Sequence, residues 1–210
     1  AGSNCNTEAY AGSDTGDYES ELAVVLGKAC KNVSEEEALE YVLGYTACND
    51  VSVEQASLHS RSGVSPKGLT ARVQLVVFNR PEPEPILNSL SGPTIVSKSL
   101  IPDPSALRIR GLKNGEVKQD CGTQYILPIL KHWRLNSDRR NSDLIFSIGK
   151  LISFLSQGTT LPAGTVIITG TPAGVGTGCN PKVTIREGDE FAVEILPHIG
   201  TLCNVFQNEE

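Results

Sequence analysis

Residues 17–27 begin with polar positions and continue into an apolar run at 22–26, a pattern that predicts a β-strand whose successive side chains point to opposite faces. Glu19 and Glu21 would share one face of the strand, roughly 7 Å apart at Cα. The opposite face, toward a core, would carry Ser20, Leu22, Val24 and Leu26. Paired carboxylates on one strand face suit a hard divalent cation, and the alternative is an ordinary solvated face.

A helix is predicted next, over residues 33–44. Ser34 is a suitable N-cap, and Glu37 three positions later completes a capping box. Leu39 and Leu43 extend an apolar stripe, and Gly44 is a typical helix end.

Residues 45–49 then form a predicted second strand, which ends at Asp50. A strand that returns after a helix often lies beside the first strand, and this would bring Asp50 close to Glu19 and Glu21. Three carboxylates at close range destabilise a fold unless something neutralises their charge. A divalent cation would do so, which makes a metal site as reasonable as a solvated face.

Short strands and turns fill most of the remaining chain. Strands are predicted over residues 72–78, 92–97, 165–168, 190–196 and 200–206, with a hairpin over 106–121. The hairpin would turn at Asn114 and Gly115, the pair favoured in type I′ turns. A second helix would begin with Asp143 as its N-cap and end at Gly158. Residues 169–178 form a glycine-rich loop, either a tight surface turn or one whose backbone N–H groups approach an anion.

Composition narrows the classes of function. The 210 residues carry a net charge of -6, which argues against general nucleic-acid binding, and the basic aromatic stretch at 124–140 is predicted to be an exposed insertion. No apolar run has membrane-spanning length. The six Cys residues lack a CxxC pair, so they indicate reduced thiols. Since residues 1–16 show no signal-peptide pattern, we expect a cytoplasmic or mitochondrial protein rather than a secreted one.

Four stretches together carry a resemblance to a known family. They are Asp17–Val25, Gly44–Ser52, Asp143–Ile148 and Ile168–Gly176. In order and character they resemble the fumarylacetoacetate hydrolase family, in particular its acylpyruvate hydrolases and oxaloacetate decarboxylases or tautomerases. The resemblance covers about two-thirds of the chain. It implies an α+β fold, a mixed β-sandwich roll of the fumarylacetoacetase C-terminal-domain type with a few peripheral helices, as a single catalytic domain over residues 1–210.

The resemblance also implies a site. Glu19, Glu21 and Asp50 would bind Mg²⁺, with Mn²⁺ or Ca²⁺ as alternatives. Lys67 would be the catalytic lysine, although Pro66 departs from the family context. Thr171, with Gly170 beside it, would contact the substrate.

The implied function is Mg²⁺-dependent hydrolysis of a C–C bond in an acylpyruvate or another 1,3-diketo acid. Decarboxylation, tautomerisation or isomerisation of oxaloacetate-like acids is the alternative within the family. An alternative of another class is an impaired pseudoenzyme that keeps the fold as a binding or structural domain. A homodimer with no nucleic-acid or membrane partner is expected from the same resemblance.

The sequence departs from the family pattern in three places. The family has a His and a Glu that act as general base in a segment before the paired acids, whereas this sequence starts after it, and neither His59 nor His198 is expected to replace that His. Residues 69–91 and 124–140 are atypical insertions. We hypothesise an N-terminally truncated or misassembled member, which sequencing of the transcript would test.

Overall fold

The computed structural model describes residues 3–6, 16–53, 74–76, 89–125 and 147–207. These residues form twelve strands and two α-helices. The strands are β1 (Ser3–Asn6), β2 (Gly16–Asp17), β3 (Ser20–Leu26), β4 (Val42–Asp50), β5 (Ser52–Val53), β6 (Gln74–Val76), β7 (Ser89–Ser97), β8 (Arg108–Lys113), β9 (Glu116–Gly122), β10 (Val166–Ile168), β11 (Glu190–Leu196) and β12 (Gly200–Gln207). The helices are α1 (Glu35–Ala38) and α2 (Ile148–Leu155).

Two five-stranded sheets face each other. The first has the order β6-β10-β3-β4-β7 and the second the order β1-β12-β11-β8-β9, while β2 and β5 form a small separate pair. Neighbours are antiparallel except β1 and β12, so the architecture is mixed. One hydrophobic core joins the sheets, with Leu22, Val24 and Leu26 from β3 and Phe191 and Val193 from β11. The predicted α+β sandwich is confirmed.

Strand β3 is buried on both faces, so the alternative of an ordinary solvated face does not hold for its residues. Ala23 and Val25, on the same face as Glu21, are 0% and 7% exposed, and Glu21 itself is 1% exposed. The reason is position, because β3 is the central strand of its sheet, paired to β10 and to β4. Glu21 therefore lies in the protein interior, while Glu19, just before the strand, is half-buried.

The predicted helix over 33–44 is correct at its start and wrong at its end. Ser34 and Glu37 form the expected capping box, but α1 ends at Ala38, a 3-10 turn follows, and β4 begins at Val42. Leu43, assigned to the buried stripe, is 52% exposed. Gly44 is a residue of β4 and does not end a helix. Glycine is required there because a Cβ would lie 2.2 Å from the backbone oxygen of Val96 on β7.

The second helix also begins later than predicted. Its N-cap is Ser147, whose hydroxyl accepts from the N–H of Lys150, and not Asp143, which lies outside the described residues. The hairpin prediction is confirmed, since β8 and β9 are joined by Asn114 and Gly115 with positive φ values of 50° and 80°. Each described helix is too short or too polar to cross a lipid bilayer.

Candidate metal centre and substrate loop

Three acids meet at the start of β3. Strands β3 and β4 pair with Ser20 opposite Asn49, and the N–H of Asp50 donates to the carbonyl oxygen of Glu19 at 2.9 Å. This register places Asp50 opposite Glu19, while Glu21 lies two residues along the same face. One carboxylate oxygen from each acid lies within 4.8 Å of the others. The structure thus brings together the three side chains expected to form the metal site.

Glu21 is the buried member of this cluster. Burial raises its pKa well above the usual carboxyl value, and the nearby charges of Asp50 and Glu19 raise it further. A hydrogen bond from the N–H of Gly170, 2.6 Å from Oε2, opposes this rise. The balance leaves a buried carboxylate whose charged form is disfavoured unless positive charge arrives.

The residues fit a hard divalent cation. All three side chains offer carboxylate oxygens, the ligands that Mg²⁺, Mn²⁺ and Ca²⁺ prefer. A cation between them would remove the repulsion that raises the Glu21 pKa. Oε2 of Glu21 already accepts a hydrogen bond from the N–H of Gly170, so Oε1 is the oxygen that remains for another partner.

The glycine-rich loop reaches the cluster from the other neighbour of β3. Strand β10 pairs with β3 so that Ile168 is opposite Ala23, and Thr169 N–H continues the ladder to the carbonyl oxygen of Leu22. Gly170 then follows opposite Glu21, and its φ of 94° is a conformation that favours glycine. The loop therefore begins at the acid cluster.

The loop N–H groups bind carboxylates, which was one of the two alternatives open from the sequence, but these anions belong to the protein itself. Gly170 donates to Glu21, and Gly176 and Thr177 donate to the carboxylate of Asp17. These amides hold the loop to the strand region that carries the acids. Asp17 was not among the residues that sequence reasoning assigned to the site.

Gln119 on β9 is a second residue that sequence reasoning missed. Its Oε1 accepts from the N–H and hydroxyl of Ser20, at 3.0 and 2.7 Å. Its Nε2 donates to Thr171 Oγ1 at 2.8 Å and to the carbonyl oxygen of Pro172 at 2.9 Å. Since a backbone N–H only donates and a carbonyl only accepts, the orientation of this buried amide is fixed.

The orientation of Gln119 determines what Thr171 can do. Its Oγ1 accepts from Nε2 of Gln119, so the hydroxyl hydrogen of Thr171 is available to another acceptor. Thr171 is half-buried and follows directly after Gly170. The site thus combines three convergent carboxylates with one oriented hydroxyl donor on an adjacent loop.

Lys67 and the histidines are the remaining residues that the sequence analysis considered for the site. Lys67 and His59 lie outside the described residues, as do most of the atypical segments 69–91 and 124–140. His198 lies in the turn between β11 and β12, with a φ of 87°.

Comparisons with known proteins agree with this arrangement. The family model of the fumarylacetoacetate (FAA) hydrolase C-terminal region matches residues 1–75 and 133–207. The chain is 36% identical over 188 residues to oxaloacetate tautomerase YisK of Bacillus subtilis, covering 90% of this chain and 51% of that protein. It is 37% identical over 194 residues to caffeoylpyruvate hydrolase of Neonothopanus nambi, covering 92% and 50%.

A solved structure shows the same fold. The fumarylacetoacetate hydrolase of Exiguobacterium antarcticum superposes with a TM-score of 0.72 at 28% identity, over 99% of this chain and 62% of that one. The chain spans about half the length of the two curated relatives. Together with the acid cluster and the loop, these matches show that the chain belongs to the fumarylacetoacetate hydrolase family and carries its C-terminal region.

Proposed function

We propose that this chain provides the metal and substrate site of a Mg²⁺-dependent enzyme that acts on a small 2-oxo acid. The observation that carries the proposal is the meeting of Glu19, Glu21 and Asp50 beside the loop of Thr171. Mn²⁺ or Ca²⁺ are alternative ions, because the donor set is the same for each.

The proposed substrate class follows from the chemistry of the donors. A 2-oxo acid presents a carboxylate and a keto oxygen side by side, a pair that a hard cation binds in preference to softer ligands. The bound cation would polarise the keto group. The three acids would hold the cation, whose charge would offset most of their negative charge.

The remaining residues would orient the substrate. The hydroxyl hydrogen of Thr171, turned away from Gln119, would donate to the substrate carboxylate. Gly170 would keep the loop against Glu21. Lys67 is proposed to stabilise negative charge that develops on the keto oxygen, as the family resemblance implies.

We favour hydrolysis of an acylpyruvate as the reaction. Water adds to the distal acyl carbonyl, the C–C bond to the methylene breaks, and its electron pair passes into the pyruvate part as an enolate, which takes up a proton. The products are a carboxylic acid and pyruvate. Similarity to a relative named caffeoylpyruvate hydrolase supports this choice.

Tautomerisation or decarboxylation of oxaloacetate is the second candidate. Both pass through an enolate, so the same acids and the same hydroxyl would serve them. The specific support is the near-equal identity of the chain to an oxaloacetate tautomerase. A domain that binds cation and ligand without turnover is the alternative of another class.

Turnover assays separate these functions. Acetylpyruvate and oxaloacetate are offered to the full chain with Mg²⁺ or with chelator, and both substrates and products are followed by NMR. We expect Mg²⁺-dependent loss of acetylpyruvate, reduced by about 100-fold in Glu19→Gln because a ligand is lost. Glu40→Gln, on the exposed 3-10 turn, makes the same charge change and should leave the rate unchanged.

The alternative outcomes are distinct. Consumption of oxaloacetate alone would favour the second candidate. Mg²⁺ binding by calorimetry without turnover of either acid would favour the binding domain. Turnover that neither chelator nor Glu19→Gln reduces would contradict the metal site.

A further inference from the structure

We propose that Asp17 is a positioning residue for the substrate loop, and that its carboxylate holds Gly176 and Thr177 so that Thr171 stays in place. This inference rests on the proposed function, because it assigns Asp17 a role in binding the 2-oxo acid. Asp17 acts through the loop and does not touch the substrate.

The carboxylate of Asp17 is buried and fully used. Oδ1 accepts from the N–H of Tyr18 at 2.9 Å and from the N–H of Gly176 at 2.6 Å. Oδ2 accepts from the N–H and the hydroxyl of Thr177, at 2.9 and 2.6 Å. An ionised carboxylate offers about four acceptor sites, so four donors compensate its burial at 3% exposure.

The hydrogen bonds of Asp17 separate it from the metal cluster. Asp17 lies only two residues before Glu19, yet the group of acids that converge consists of Glu19, Glu21 and Asp50. With its acceptor sites occupied by N–H and O–H donors, Asp17 has no capacity for a cation. Three of its four donors come from the loop, which makes the loop its partner.

The loop is consequently tied at both ends to acids from one strand region. Gly170 bonds to Glu21 at the start, and Gly176 and Thr177 bond to Asp17 at the end. Between them, Gln119 holds Thr171 and Pro172.

Glycines let the loop come close enough for this attachment. A Cβ on Gly176 would lie 1.7 Å from the carbonyl oxygen of Val183 and 2.8 Å from Oδ1 of Asp17. A Cβ on Gly174 would lie 2.1 Å from the carbonyl oxygen of Lys118 on β9. The backbone is therefore confined between β9 and Asp17, and releasing the Asp17 end would free the segment that follows Thr171.

Thr177 provides the most conservative test. Thr177→Val removes one charge-assisted hydrogen bond to Asp17 and keeps the side-chain shape, whereas Thr177→Ser restores the hydroxyl. Thr165→Val is the matched control, since it removes a hydroxyl that donates to the carbonyl oxygen of Pro162 at the far end of β10. Asp17→Asn is the stronger variant, because the new amide N–H₂ would face N–H donors of the loop.

The measurements are oxalate affinity with saturating Mg²⁺, Mg²⁺ affinity alone, and amide hydrogen exchange at residues 170–178 without Mg²⁺. We expect Thr177→Val to weaken oxalate binding about tenfold and Asp17→Asn to weaken it more, as expected for loss of a bond to a charged acceptor. Mg²⁺ affinity should stay within about twofold of wild type, since the cation ligands are untouched. Exchange should be faster in both variants, and Thr177→Ser should keep oxalate affinity and exchange at their wild-type values.

Several results would overturn the proposal. Unchanged oxalate affinity in a folded Thr177→Val or Asp17→Asn protein with faster exchange would show that the attachment does not position Thr171. An equal loss in Thr165→Val would show a general effect on stability. Equal losses of Mg²⁺ and oxalate affinity would place Asp17 in the metal site. A wild-type protein that binds neither Mg²⁺ nor oxalate would overturn the proposed function itself. Amide exchange is measured without Mg²⁺, so it would still report whether Asp17 holds the loop.

Discussion

The Glu21 carboxylate has one hydrogen-bond partner on the loop and two acidic neighbours. Burial and the charges of Asp50 and Glu19 raise its pKa, while the N–H of Gly170 stabilises its charged form. Without a cation, the folded state holds this group more readily as the neutral acid than the unfolded chain does. The stability of the metal-free protein therefore depends on pH through this residue.

The direction of that dependence follows from proton linkage. Between the ordinary carboxyl pKa and the raised pKa of Glu21, the folded state holds a proton that the unfolded state has released, so the stability conferred by protonated Glu21 falls as pH rises through this window. Glu21→Gln should flatten this decline in unfolding free energy, measured by urea titration in chelator from pH 5 to pH 8. A decline as steep as in wild type would mean that Glu21 is not the group that titrates.

Gln119 determines the donor direction of Thr171, and a single-atom change tests this. Gln119→Glu keeps an acceptor for Ser20 but replaces the donor to Thr171 and Pro172 by an oxygen, which would take the hydroxyl hydrogen of Thr171 for itself. We expect oxalate binding in saturating Mg²⁺ to weaken by at least about tenfold. Calorimetry with Mg²⁺ alone serves as the comparison, and unchanged oxalate affinity would contradict the role of Thr171 as donor.

Sequence alone could predict the acids but not these amide contacts. Glu19 and Glu21 are two positions apart in an extended segment and therefore share a face, and Asp50 ends the next strand. Their meeting thus follows from local periodicity and one antiparallel pairing. Gln119 accepts a hydrogen bond from Ser20, which lies 99 positions away in the sequence and in the other sheet. Nothing in the local pattern of its strand distinguishes it from an ordinary hairpin residue.

At the scale of elements, the central strand β3 organises the site. One neighbour, β4, supplies Asp50, and the other, β10, delivers the loop at Gly170. The start of α1 was predictable because a capping box is a local signal. Its end was not, because the chain turns into β4 to pair with β3 and to approach β7 at Gly44, contacts that apolar periodicity does not encode.

The loop between β10 and the 3-10 turn at 176–178 should be sensitive to added volume. Gly174→Ala would place a Cβ 2.1 Å from the Lys118 carbonyl oxygen, at a φ of 110°. We expect a loss of about 2–4 kcal/mol in unfolding free energy, or a displaced loop with weak oxalate binding. Gly158→Ala is the matched control, since its φ is 69° with open space around it, and it should cost only about 1 kcal/mol. Equal costs for the two variants, with oxalate affinity intact, would show that the loop is not confined by β9.

At the scale of the whole molecule, the second sheet supports the acids of the first. Asn49, buried on β4, accepts from the N–H of Glu19 at 3.2 Å and donates to Asn204 on β12 at 3.3 Å. Gln119 reaches from β9 to Ser20 and the loop. The site geometry thus depends on both sheets being folded and packed.

Ligand linkage converts this dependence into a measurable shift. Mg²⁺ that binds only the folded protein should raise the free energy of unfolding by about 2.7 kcal/mol at a concentration 100 times the dissociation constant. For a domain of this size, the unfolding midpoint should then rise by about 5–10 °C. Asp50→Asn should abolish the shift, while its metal-free midpoint stays equal or rises because repulsion is relieved. Glu40→Gln should keep the shift, and a Mg²⁺ shift that persists in Asp50→Asn would point to a different site.

Family membership and the sandwich of two sheets were predictable from four motifs in order, three of which lie on β3, on β4 and on β10 with its loop. The homodimer, the single domain and the compartment stay predictions. Mass measurement by light scattering tests the first of these.

The most direct test of the metal site is the anomalous difference map of crystals soaked with Mn²⁺ and oxalate. We expect a peak coordinated by Glu19, Glu21 and Asp50, with oxalate between the ion and the hydroxyl of Thr171. An ordered crystal with these three carboxylates resolved and no peak between them, or with its peak elsewhere, would contradict it.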